Sequence, residues 1–571
     1  MTPAQPQIRA TPMQAFKKLS PVAQRIILDY IRRRGIASDQ LSEFLDPKSS
    51  PNNCRLPNSD KFVGRLRQAV DRHERVLIYG DYDCDGIAAT AILLRFFNET
   101  GTLEPNWVLP DRRRDHYGLD LERAKSLLLQ HQPTLLICVD CGTNSAAAIR
   151  WLKEQGVDTL VADHHPLEAN DTEAVALVNP KSRGDNHDDL CAAGVVFHLC
   201  HRLAENWSSA GRWDDQTATI LAGMATVADA VSMTSRNRAL VKNALTLINS
   251  HQERDLIPGL AALMPRDSGI WNQRRLQFEI IPALNALGRL ASAEPGVVLL
   301  TTADASCAQK IATHCRELNE TRKVIQREMV KQATAMASAV LQYQPAAPIV
   351  ILADQRWNHG VAGPAASQIA ETFGRSTILL APHTGDQWKG SGRSVNGDHL
   401  GQWIGHAKNL GLLARGGGHA AAVGVAATSA QLAALHSAGL ILTVPQCEQH
   451  DPDQEVIGEL DQLRPEEWCR VVQLLEPFGK KNPLPLIAAR GAICQSSPQP
   501  LLPRTDGQPW AVKAEFKLKS GRQIVVTHRN CAAALKSWQP GSRHDLLLEL
   551  SEKRLNGQTF LNWVSAGPIA T

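Results

Sequence analysis

The chain has 571 residues, of which 43% are hydrophobic and 21% are charged, and its formal net charge is +4 at pH 7. This length exceeds what one hydrophobic core supports and predicts roughly three or four domains, while the charge is too small to indicate nucleic-acid binding by itself. The N-terminal sequence lacks the apolar core of a signal peptide and no stretch approaches the ~20 uninterrupted apolar residues of a membrane span, so we expect a cytoplasmic protein with no membrane segment.

The stretch "VLIYGDYDCDGIAAT", residues 76–90, places Asp81, Asp83 and Asp85 at alternate positions behind an apolar, strand-like run. Alternate residues of an extended chain point the same way. Three carboxylates on one face repel one another and resist removal from water, so they need bulk water or a cation. The stretch therefore predicts either a solvated acidic turn or a cation site.

An EF-hand calcium loop does not fit this stretch. The pattern D-x-D-x-D-G opens an EF-hand loop, which then requires a bidentate acid at its twelfth position. Counted from Asp81, the twelfth residue is Ile92. The residues after Gly86 have helical periodicity, which places the aspartates in a strand-to-helix turn.

Strand-like runs alternate with helical stretches between residues 76 and 235. The runs are "VLIYG", "LLICVD", "TLVADHH" and "AVALVN". This alternation predicts βαβ units and a parallel sheet covered by helices. The sequence "TATILAGMATVADAV" then predicts an apolar helix that is interrupted at Asp229.

Residues 304–343 predict a long helix that connects two lobes, because apolar or compact residues recur there at helical spacing without Gly or Pro. These residues are Ile311, Cys315, Leu318, Ile325, Met329 and Met336. A second α/β pattern starts at "PIVILADQRW", and the alternation in "AVKAEFKLKSGRQIVVTHR" predicts hairpin strands in a β-rich C-terminal part. We therefore divide the chain into an N-terminal helical segment, an α/β domain, a connector with the long helix, a second α/β domain and a β-rich domain, at residues 1–70, 71–265, 266–345, 346–445 and 446–571.

Acidic and imidazole side chains follow these predicted elements at one common position, the C-terminal end. Besides the three aspartates above they are Asp140 in "ICVDCG", Asp163, His164 and His165 in "LVADHH", and Asp229. In an open parallel sheet those ends converge on one crevice, where ligands bind. At least five carboxylates and one or two imidazoles would meet there, which without cations would destabilise the fold by several kcal/mol.

Oxygen and nitrogen ligands without thiolate suit Mn²⁺ or Mg²⁺ better than structural zinc. The twelve cysteines lack framework spacing, and the close pair Cys138 and Cys141 has no second pair to complete a zinc site. The acidic residues are enough for two ions that share a carboxylate. Two metals roughly 3.5–4 Å apart clamp the attacking water and the leaving oxygen of a phosphoester, so the residues predict phosphodiester or phosphoanhydride hydrolysis.

The motifs "YGDYDCDG", "VDCG", "ADHH" and "TVAD", in that order, resemble the four motifs of the DHH phosphoesterase superfamily. The stretches "KGSGRS" and "GGGHAAAVG" resemble its DHHA1 accessory domain, and "PDRRRDHYGL", "LNALGRL", "LNETRK" and "FGKKNPLP" are similar to its RecJ single-strand exonuclease branch. The resemblance spans about residues 70 to 485. It implies an α/β fold in which a parallel-sheet DHH catalytic lobe and a DHHA1 lobe are joined by the long helix, followed by a β-rich, OB-like domain.

The resemblance also implies roles for the acidic cluster. It places metal ligands at Asp81, Asp83, Asp85, Asp140, His164 and Asp229. Asp140 would bridge the two ions. Asp81 would either bind the first ion or support one of its ligands without contacting the ion. Asp163 would orient an imidazole, and His165 would face the scissile phosphate as an electrostatic stabiliser or proton donor.

Substrate-binding residues are implied outside the metal motifs. They are Arg112, Arg289, Ser391, Arg393, Ser394, Gly417, Gly418 and His419. The glycine run "RGGGH" at 415–419 can form an anion-binding nest of backbone N–H groups, with a flexible turn as the alternative. The arginines can bind a phosphate through charge-assisted hydrogen bonds. A run such as "RRR" taken alone more often forms a solvent-exposed surface.

A nucleic-acid path is predicted in the C-terminal part. Its alternating lysines are Lys513, Lys517 and Lys519. A basic β face of this kind tracks a nucleic-acid backbone in OB-type barrels, whereas lysines that protect an edge strand are an equally weighted alternative. Trp510 and Phe516 could stack bases, with core packing favoured for Phe516.

The metal cluster predicts hydrolysis of a phosphoester, and the resemblance implies the rest: a metal-dependent exonuclease that degrades single-stranded DNA in the 5′→3′ direction, in repair and recombination. The alternatives are a DHH phosphodiesterase of short oligonucleotides or cyclic dinucleotides, which usually ends after the accessory domain, and a non-catalytic nucleic-acid-binding scaffold, which would be expected to lose metal ligands. The resemblance implies a monomer that works beside single-strand binding protein and a helicase. Departures from the RecJ pattern at His116, Cys141 and Ala362 spare the metal ligands and touch the substrate channel.

Overall fold

The structure is a computed structural model. It describes residues 11–47, 56–115, 118–167, 172–182, 189–205, 207, 213–250, 256–265, 269–395, 397–446, 456–501, 511–528, 531–555 and 558–568. None of the helices within these residues is long and apolar enough to cross a membrane.

Within the described residues, four α-helices precede the first strand. They are α1 (Pro12–Lys17), α2 (Pro21–Arg32), α3 (Leu41–Leu45) and α4 (Ser59–Asp71). Ser20 caps α2 by accepting a hydrogen bond from the Ala23 N–H, and Pro21 occupies the first helical position, where no N–H is needed.

The first lobe is built on a parallel sheet of five strands. They are β1 (Val76–Tyr79), β2 (Asn106–Val108), β3 (Leu135–Val139), β4 (Asp158–Ala162) and β5 (Ala176–Val178), in the spatial order β2-β1-β3-β4-β5. The four predicted strands are confirmed. Their continuous apolar runs reflect burial on both faces of a parallel sheet, whereas β2 was not predicted because it is a short, partly exposed edge strand.

Helices cover both faces of this sheet. They are α5 (Cys84–Thr100), α6 (Leu121–His131), α7 (Ala146–Glu154), α8 (Ala192–Ala204), α9 (Asp215–Ala228), α10 (Ser235–Ser250) and α11 (Pro258–Leu263). The predicted apolar helix before Asp229 is α9, and Asp229 is its C-terminal cap. The interruption seen in the sequence is thus a helix end.

The connector follows as a set of helices. They are α12 (Gln273–Arg275), a π-helical turn (Leu276–Ile280), α13 (Ile281–Leu290), α14 (Glu294–Thr301) and α15 (Ala305–Tyr343). The predicted long helix is confirmed as α15, which has 39 residues. Cys315 and Met329 on its apolar stripe are buried, and the stripe contributes to the cores of both lobes.

The second lobe is a mixed α/β unit. Its elements are β6 (Ile349–Ala353), α16 (Ala362–Phe373), β7 (Ser376–Pro382), β8 (Gln387–Arg393), α17 (Leu400–Asn409), β9 (Arg415–Gly418), β10 (Ala422–Thr428) and α18 (Ser429–Ile441). The sheet has the order β6-β7-β8-β10-β9, in which β6 and β7 are parallel and the other neighbours are antiparallel.

The C-terminal domain is rich in β-strands, as predicted. Its elements are β11 (Val456–Glu459), α19 (Pro465–Leu475), β12 (Leu486–Cys494), β13 (Gln499–Leu501), β14 (Ala511–Lys517), β15 (Gln523–His528), α20 (Cys531–Ser537), β16 (Arg543–Leu555) and β17 (Gln558–Pro568). The sheet order is β11-β12-β16-β17-β15-β14-β13. Because β12 also pairs with β14, the sheet curls back on itself.

The N-terminal helices share a core with the C-terminal domain. Ile27 and Tyr30 of α2 are buried in one cluster with Trp468 and Val471 of α19. By contrast, α4 is buried in the core of the first lobe. The segment predicted as one helical unit, residues 1–70, therefore contributes to two separate cores.

A buried arginine joins these parts of the chain. Arg238 of α10 is 3% exposed, and its guanidinium donates to the carbonyl oxygens of Leu475 (2.9 Å), Pro477 (3.0 Å) and Phe44 (3.4 Å). Leu475 and Phe44 lie at the C-terminal ends of α19 and α3, where the helix dipole favours a cation. Burial lowers the pKa of Arg238 to about 10, so it stays charged at neutral pH.

Replacing this arginine should destabilise the protein strongly. In Arg238→Met the Phe44 carbonyl oxygen loses this donor, and the carbonyl oxygens of Leu475 and Pro477 keep the Asn482 amide as a donor but lose the charged one. We expect this change to lower the free energy of unfolding by about 2–4 kcal/mol. Arg32→Met on α2 is the matched control, because the Arg32 side chain is 75% exposed and should contribute less than about 1 kcal/mol. Equal losses in the two variants, measured by urea unfolding, would contradict the role of Arg238.

Candidate metal centre and phosphate-binding cleft

The predicted acidic residues follow the C-terminal ends of their strands and helix. Asp81 lies just after β1 and is 3% exposed, and Asp83 caps α5 by accepting hydrogen bonds from the N–H groups of Asp85 and Gly86. A side chain at Gly86 would come within 2.7 Å of the Asp81 backbone. Glycine is therefore required there by close packing within the turn, and not by a left-handed backbone.

Asp140 lies at the centre of the cluster. It follows β3 with φ of 61°, and this left-handed conformation is tolerated better by Asp and Asn than by most residues. His164 Nε2 lies 3.3 Å from Asp140 Oδ1 and 3.7 Å from Asp85 Oδ2, and His164 Nδ1 lies 3.6 Å from Asp229 Oδ2. The structure thus brings residues from four separate segments into direct proximity.

Among the described residues, these side chains form three overlapping groups that could hold a metal ion. In each group, one ligand atom from every member lies within 4.8 Å of the others. The first group is Asp81, Asp83 and Asp140, and the second is Asp85, His164 and Asp229. The third group shares Asp140 and His164 with these two and adds Asp163 and His165. Asp140 Oδ1 lies 3.3 Å from His164 Nε2 of the second group, and the assignment of one ion to each of the first two groups stays a prediction.

The second histidine has a different environment. His165 Nδ1 lies 2.7 Å from Asp163 Oδ1, and Asp163 also accepts hydrogen bonds from the N–H groups of Thr143, His164 and His165. Burial, the largest single influence, would raise the pKa of Asp163 and lower that of His165, but their mutual hydrogen bond and the charges around them together outweigh burial. The pKa of Asp163 is consequently lowered, and that of His165 is raised to about 9, so His165 carries a proton at neutral pH.

Burial has the opposite effect on the metal-type carboxyl groups. Burial, followed by the charge of Asp83, raises the pKa of Asp81 to about 8 and that of Asp85 to about 6. Burial, followed by the charge of Asp85, also raises the pKa values of Asp140 and Asp229 well above their ordinary value. These carboxylates are costly to ionise together unless a cation compensates their charge.

The donor set fits divalent cations that prefer oxygen. Within the described part of the chain, Asp81 Oδ1 and His164 Nδ1 are buried without a hydrogen-bond partner, which is the state expected of atoms reserved for a metal ion. The thiols of Cys84 and Cys191 have pKa values raised by burial, and neither belongs to the groups of described residues that could hold a metal ion. Carboxylates with one imidazole suit Mn²⁺ or Mg²⁺.

Two supporting contacts were not found by reading the sequence. The carboxylate of Asp85 accepts hydrogen bonds of 2.8 Å from the N–H groups of Ala192 and Ala193, at the start of α8. The side-chain oxygen of Asn285 accepts a 2.8 Å hydrogen bond from the Cys84 N–H at the start of α5. Asn285 belongs to the motif "LNALGRL". The motif indicates that this segment matters for function, but it does not predict the hydrogen bond to Cys84.

The stability of the metal-free protein should fall as pH rises. The pKa of Asp81 is raised from 3.8 to about 8 and that of His165 from 6.5 to about 9. Both groups bind protons more tightly in the folded state, so between about pH 6.5 and about 8 unfolding releases protons and stability decreases, by up to about 1.4 kcal/mol per pH unit for each group. Urea unfolding in chelator at several pH values measures this slope.

Two comparisons test the origin of the slope. Asp81→Asn should show a shallower decrease in chelator, and added Mn²⁺ should oppose the decrease in the unsubstituted protein because the ion binds deprotonated carboxylates. Asp386→Asn, at an exposed turn before β8, should retain the original slope. The same slope in Asp81→Asn and the unsubstituted protein would contradict the assignment.

Four arginines lie on the Asp81 and Asp83 side of the cluster. Burial, followed by the charges of Arg112, Arg322 and Arg393, lowers the pKa of Arg289 to about 9. The guanidinium of Arg322 donates to the neutral side-chain oxygens of Asn319 and Gln326. Arg112, Arg289 and Arg393 are predicted from the sequence, whereas the only signal for Arg322 is its place in the motif "LNETRK".

Two members of this arginine cluster, Arg393 and Arg289, lie at the start of α16. Arg393 donates to the Gly392 carbonyl oxygen, and its Nη2 would lie only 2.9 Å from a side-chain carbon at Gly363, in the first turn of α16. Ser391 Oγ would lie 3.6 Å from the same position, and Arg289 donates to the carbonyl oxygen of Gly360. The positive helix end and the arginines together make a strong site for an anion.

Two arginines of the predicted run, Arg112 and Arg113, make different contacts. The Arg113 guanidinium is paired with Asp111 at 2.6 Å and 2.9 Å, so its charge is compensated. The Arg112 guanidinium lies 5.2 Å from the centre of the Tyr82 ring, between the acidic loop and the arginine cluster. Of the two, Arg112 therefore contributes the uncompensated charge to the cleft.

The glycine run differs from the predicted nest. Gly417 and Gly418 belong to β9, an edge strand paired with β10. A nest needs successive N–H groups that converge on one point, whereas an extended strand points alternate N–H groups in opposite directions. The Ser394 N–H is bonded to the Ala421 carbonyl oxygen, and the exposed His419 continues from β9 towards the metal centre, where the charge of His165 contributes to lowering its pKa.

The structure corrects two predictions about the lysines of the C-terminal domain, namely their common strand face and their place on an edge strand. Lys513 and Lys517 share the exposed face of β14, but Lys519 lies in the turn after the strand, with its side chain over Gly491. The edge-strand alternative is wrong because β14 is paired on both sides. Phe516 is buried, as favoured from the sequence.

Two residues singled out in the sequence lie outside the described residues, namely Trp510 and His116. The other departures from the RecJ pattern are placed. Cys141 is buried with its thiol 3.7 Å from the Tyr79 carbonyl oxygen, and Ala362 begins α16 beside Arg393.

Comparison with known proteins agrees with this architecture. The family model described as the DHH family N-terminal domain matches residues 75–225, and the model of the DHHA1 domain matches residues 346–438. The first lobe with its acidic cluster and the second lobe with its arginines thus define a protein of the DHH phosphoesterase class with a DHHA1 domain.

Similar proteins of known function identify the family within this class. The single-stranded-DNA-specific exonuclease RecJ of Salmonella typhimurium is 30% identical over 464 residues, which cover 77% of this chain and 79% of that protein. The chain belongs to the RecJ family. The Bacillus subtilis member is 28% identical, and the match covers 90% of this chain but 63% of that longer protein.

Solved structures extend the match to the C-terminal domain. The crystal structure of Thermus thermophilus RecJ in complex with Mn²⁺ is similar with a TM-score of 0.75 and 26% identity, over 97% of this chain and 78% of that chain. The same protein in complex with Mg²⁺ gives a TM-score of 0.70 at 25% identity, over 98% and 76% of the two chains.

Proposed function

We propose that this protein is a metal-dependent exonuclease that hydrolyses phosphodiester bonds of single-stranded DNA in the 5′→3′ direction. The observation that carries the proposal is the acidic metal centre facing an arginine cluster at the start of α16. The first binds the cations that phosphodiester hydrolysis needs, and the second binds the anionic end of a strand. The names of the RecJ relatives, single-stranded-DNA-specific exonucleases, support this substrate.

The metal ligands follow from the two groups of side chains. Asp81, Asp83 and Asp140 would hold one Mn²⁺ or Mg²⁺, and Asp85, Asp140, His164 and Asp229 would hold the second. Two bound ions supply activation of water and stabilisation of the charge that develops on the phosphate. The hydrogen bonds from the start of α8 orient Asp85, and Asn285 holds the start of α5, so the acidic loop is fixed before an ion binds.

His165 is assigned to the scissile phosphate. Asp163 fixes the imidazole through Nδ1, and Nε2 of the protonated ring can donate a hydrogen bond to a bound phosphate. A protonated imidazole stabilises negative charge on the phosphate or gives a proton to the leaving oxygen. Asp163 is therefore a positioning residue for His165.

The arginine cluster is assigned to the 5′-phosphate. An end phosphate carries an additional ionisable oxygen compared with an internal one, which Arg393, Ser391, Arg112 and Arg289 can read through charge and N–H or O–H donors. Ser394, Gly417, Gly418 and His419 would border the same strand. Lys513 and Lys517, with Lys519 on the adjoining turn, would contact its distal phosphates.

The domain division proposed from the sequence assigns hydrolysis to residues 71–265, end binding to residues 346–445 and strand binding to residues 446–571. We also propose that the protein acts as a monomer in the cytoplasm, beside single-strand binding protein and a helicase. The activity in DNA repair and recombination follows from the same resemblance.

The test uses the purified chain with 5′- and 3′-labelled single strands and duplex, in Mn²⁺, Mg²⁺ or chelator. We expect mononucleotides released from the 5′ end of single strands only, with activity abolished by chelator. A phosphodiesterase of short oligonucleotides would hydrolyse dinucleotides and leave long strands intact. Activity that survives chelator, or no activity with either ion, would overturn the proposal.

A further inference from the structure

A second group of cations lies on the other side of the metal centre. Lys181 Nζ and Lys480 Nζ lie 3.2 Å and 3.8 Å from the two carboxylate oxygens of Asp189. Because two lysines share one acid, a net positive charge remains. Burial, followed by the charges of Lys181, His165 and Lys480, lowers the pKa of His419 of the second lobe.

The lysine group is attached to the metal centre by short covalent and hydrogen-bonded links. Asp189 directly precedes the residues 190–193, whose N–H groups include those that hold Asp85. Asn179 accepts a hydrogen bond of 2.8 Å from the Lys181 N–H and donates one of 2.8 Å to the His165 carbonyl oxygen. The lysines therefore lie next to the second ion group and the assigned phosphate ligand.

The two cationic groups flank the metal centre on different sides. The Arg112 guanidinium lies 5.2 Å from the centre of the ring of Tyr82, the residue between Asp81 and Asp83 of the first ion group. Lys181 and Lys480 instead contact Asp189, which is followed in the chain by the residues whose N–H groups hold Asp85 of the second ion group. A strand whose 5′ end occupies the arginine cluster would thus pass the ions and continue towards the lysines.

Lys480 comes from the C-terminal domain and its backbone is held firmly. Two backbone hydrogen bonds between Gly479 and Asn482 close the turn, and the Lys480 carbonyl oxygen accepts a 2.7 Å bond from the Met233 N–H. The buried Asn482 side chain accepts a 2.9 Å bond from the Tyr30 hydroxyl. The turn is therefore fixed by the N-terminal helices, the first lobe and the C-terminal domain together.

We propose that Lys480, together with Lys181, binds a DNA phosphate on the 3′ side of the scissile bond. This assignment rests on the proposed function, since the arginine cluster defines the 5′ end. A purely structural ion pair is the alternative, but the Lys480 side chain is 61% exposed and its 3.8 Å contact is long, and such surface pairs contribute less than about 1 kcal/mol. The C-terminal domain then supplies a residue to the active site itself.

A series of 5′-phosphorylated oligonucleotides of increasing length tests this proposal. A 5′-phosphorylated dinucleotide has no phosphate on the 3′ side of the scissile phosphate. Each further nucleotide adds one phosphate on that side. For Lys480→Gln we expect kcat/KM on dinucleotide to change less than about twofold, and a loss of about five- to twentyfold to appear at one length and persist for longer strands. Lys480→Arg should restore most of the activity, and Lys181→Gln should show the same length dependence.

Lys481→Gln is the matched control, because it removes the same charge from the neighbouring exposed residue. It should leave every length unaffected within about twofold. Equal losses of Lys480→Gln on dinucleotide and longer strands, no loss at any length, or an equal loss in Lys481→Gln would overturn the proposal. An unsubstituted protein that hydrolyses no strand in Mn²⁺ would instead show that the proposed function is wrong.

Discussion

Asp140→Asn is expected to lower the rate of strand hydrolysis by at least about a thousandfold, or about 4 kcal/mol of transition-state stabilisation. Asp140 lies where the two ion groups meet, so its loss affects both ions at once. Asparagine keeps the size of the side chain and tolerates the φ of 61° at this position. Single-turnover assays with a 5′-labelled strand in Mn²⁺ measure the loss.

The same variant should fold normally. Burial and the neighbouring carboxylates raise the pKa of Asp140 well above its ordinary value, so removing its charge relieves repulsion, and the free energy of unfolding in chelator should stay level or rise. Calorimetry should show weaker Mn²⁺ binding. Asp386→Asn is the control and should keep full activity, while more than about a hundredth of the original turnover in Asp140→Asn would assign the bridging role to another residue.

Arg393→Ala should lower kcat/KM on 5′-phosphorylated strands by about ten- to hundredfold, or about 1.5–3 kcal/mol. The loss on strands with a 5′-hydroxyl should be much smaller, because the additional charge of the end phosphate is absent. Arg393→Lys should be a poor substitute, since an ammonium cannot reproduce the planar fork that lies against the start of α16. Both substrates are compared with each variant.

Arg113→Ala provides the matched control for this cycle. Its guanidinium is already paired with Asp111, so both substrates should be hydrolysed at nearly the original rate. Equal losses on the two substrates in Arg393→Ala would identify Arg393 as a general contact to the strand. Another group would then determine the polarity.

The chemistry of the metal centre could be predicted from the sequence because it depends on where strands end. Asp81, Asp140 and Asp163 each follow an apolar run, and the ends of parallel strands converge regardless of the loops between them. The long helix α15 was equally clear, since its periodicity is uninterrupted. Strand β2 was missed because a partly exposed edge strand of three residues carries no strong pattern.

The tertiary structure alone decided which distant segments meet. The glycine run at 415–418 is predicted as a nest or a flexible turn, and only its pairing with β10 shows that it is an edge strand. Lys519 lies off the predicted strand face because the chain turns after Lys517. Arg322 and Lys480 were not assigned to the cleft because each is an ordinary charged residue in its own segment. Sequence patterns record local periodicity, whereas hydrogen bonds such as those of Arg238 join residues more than 190 positions apart, and only packing of the complete chain determines them.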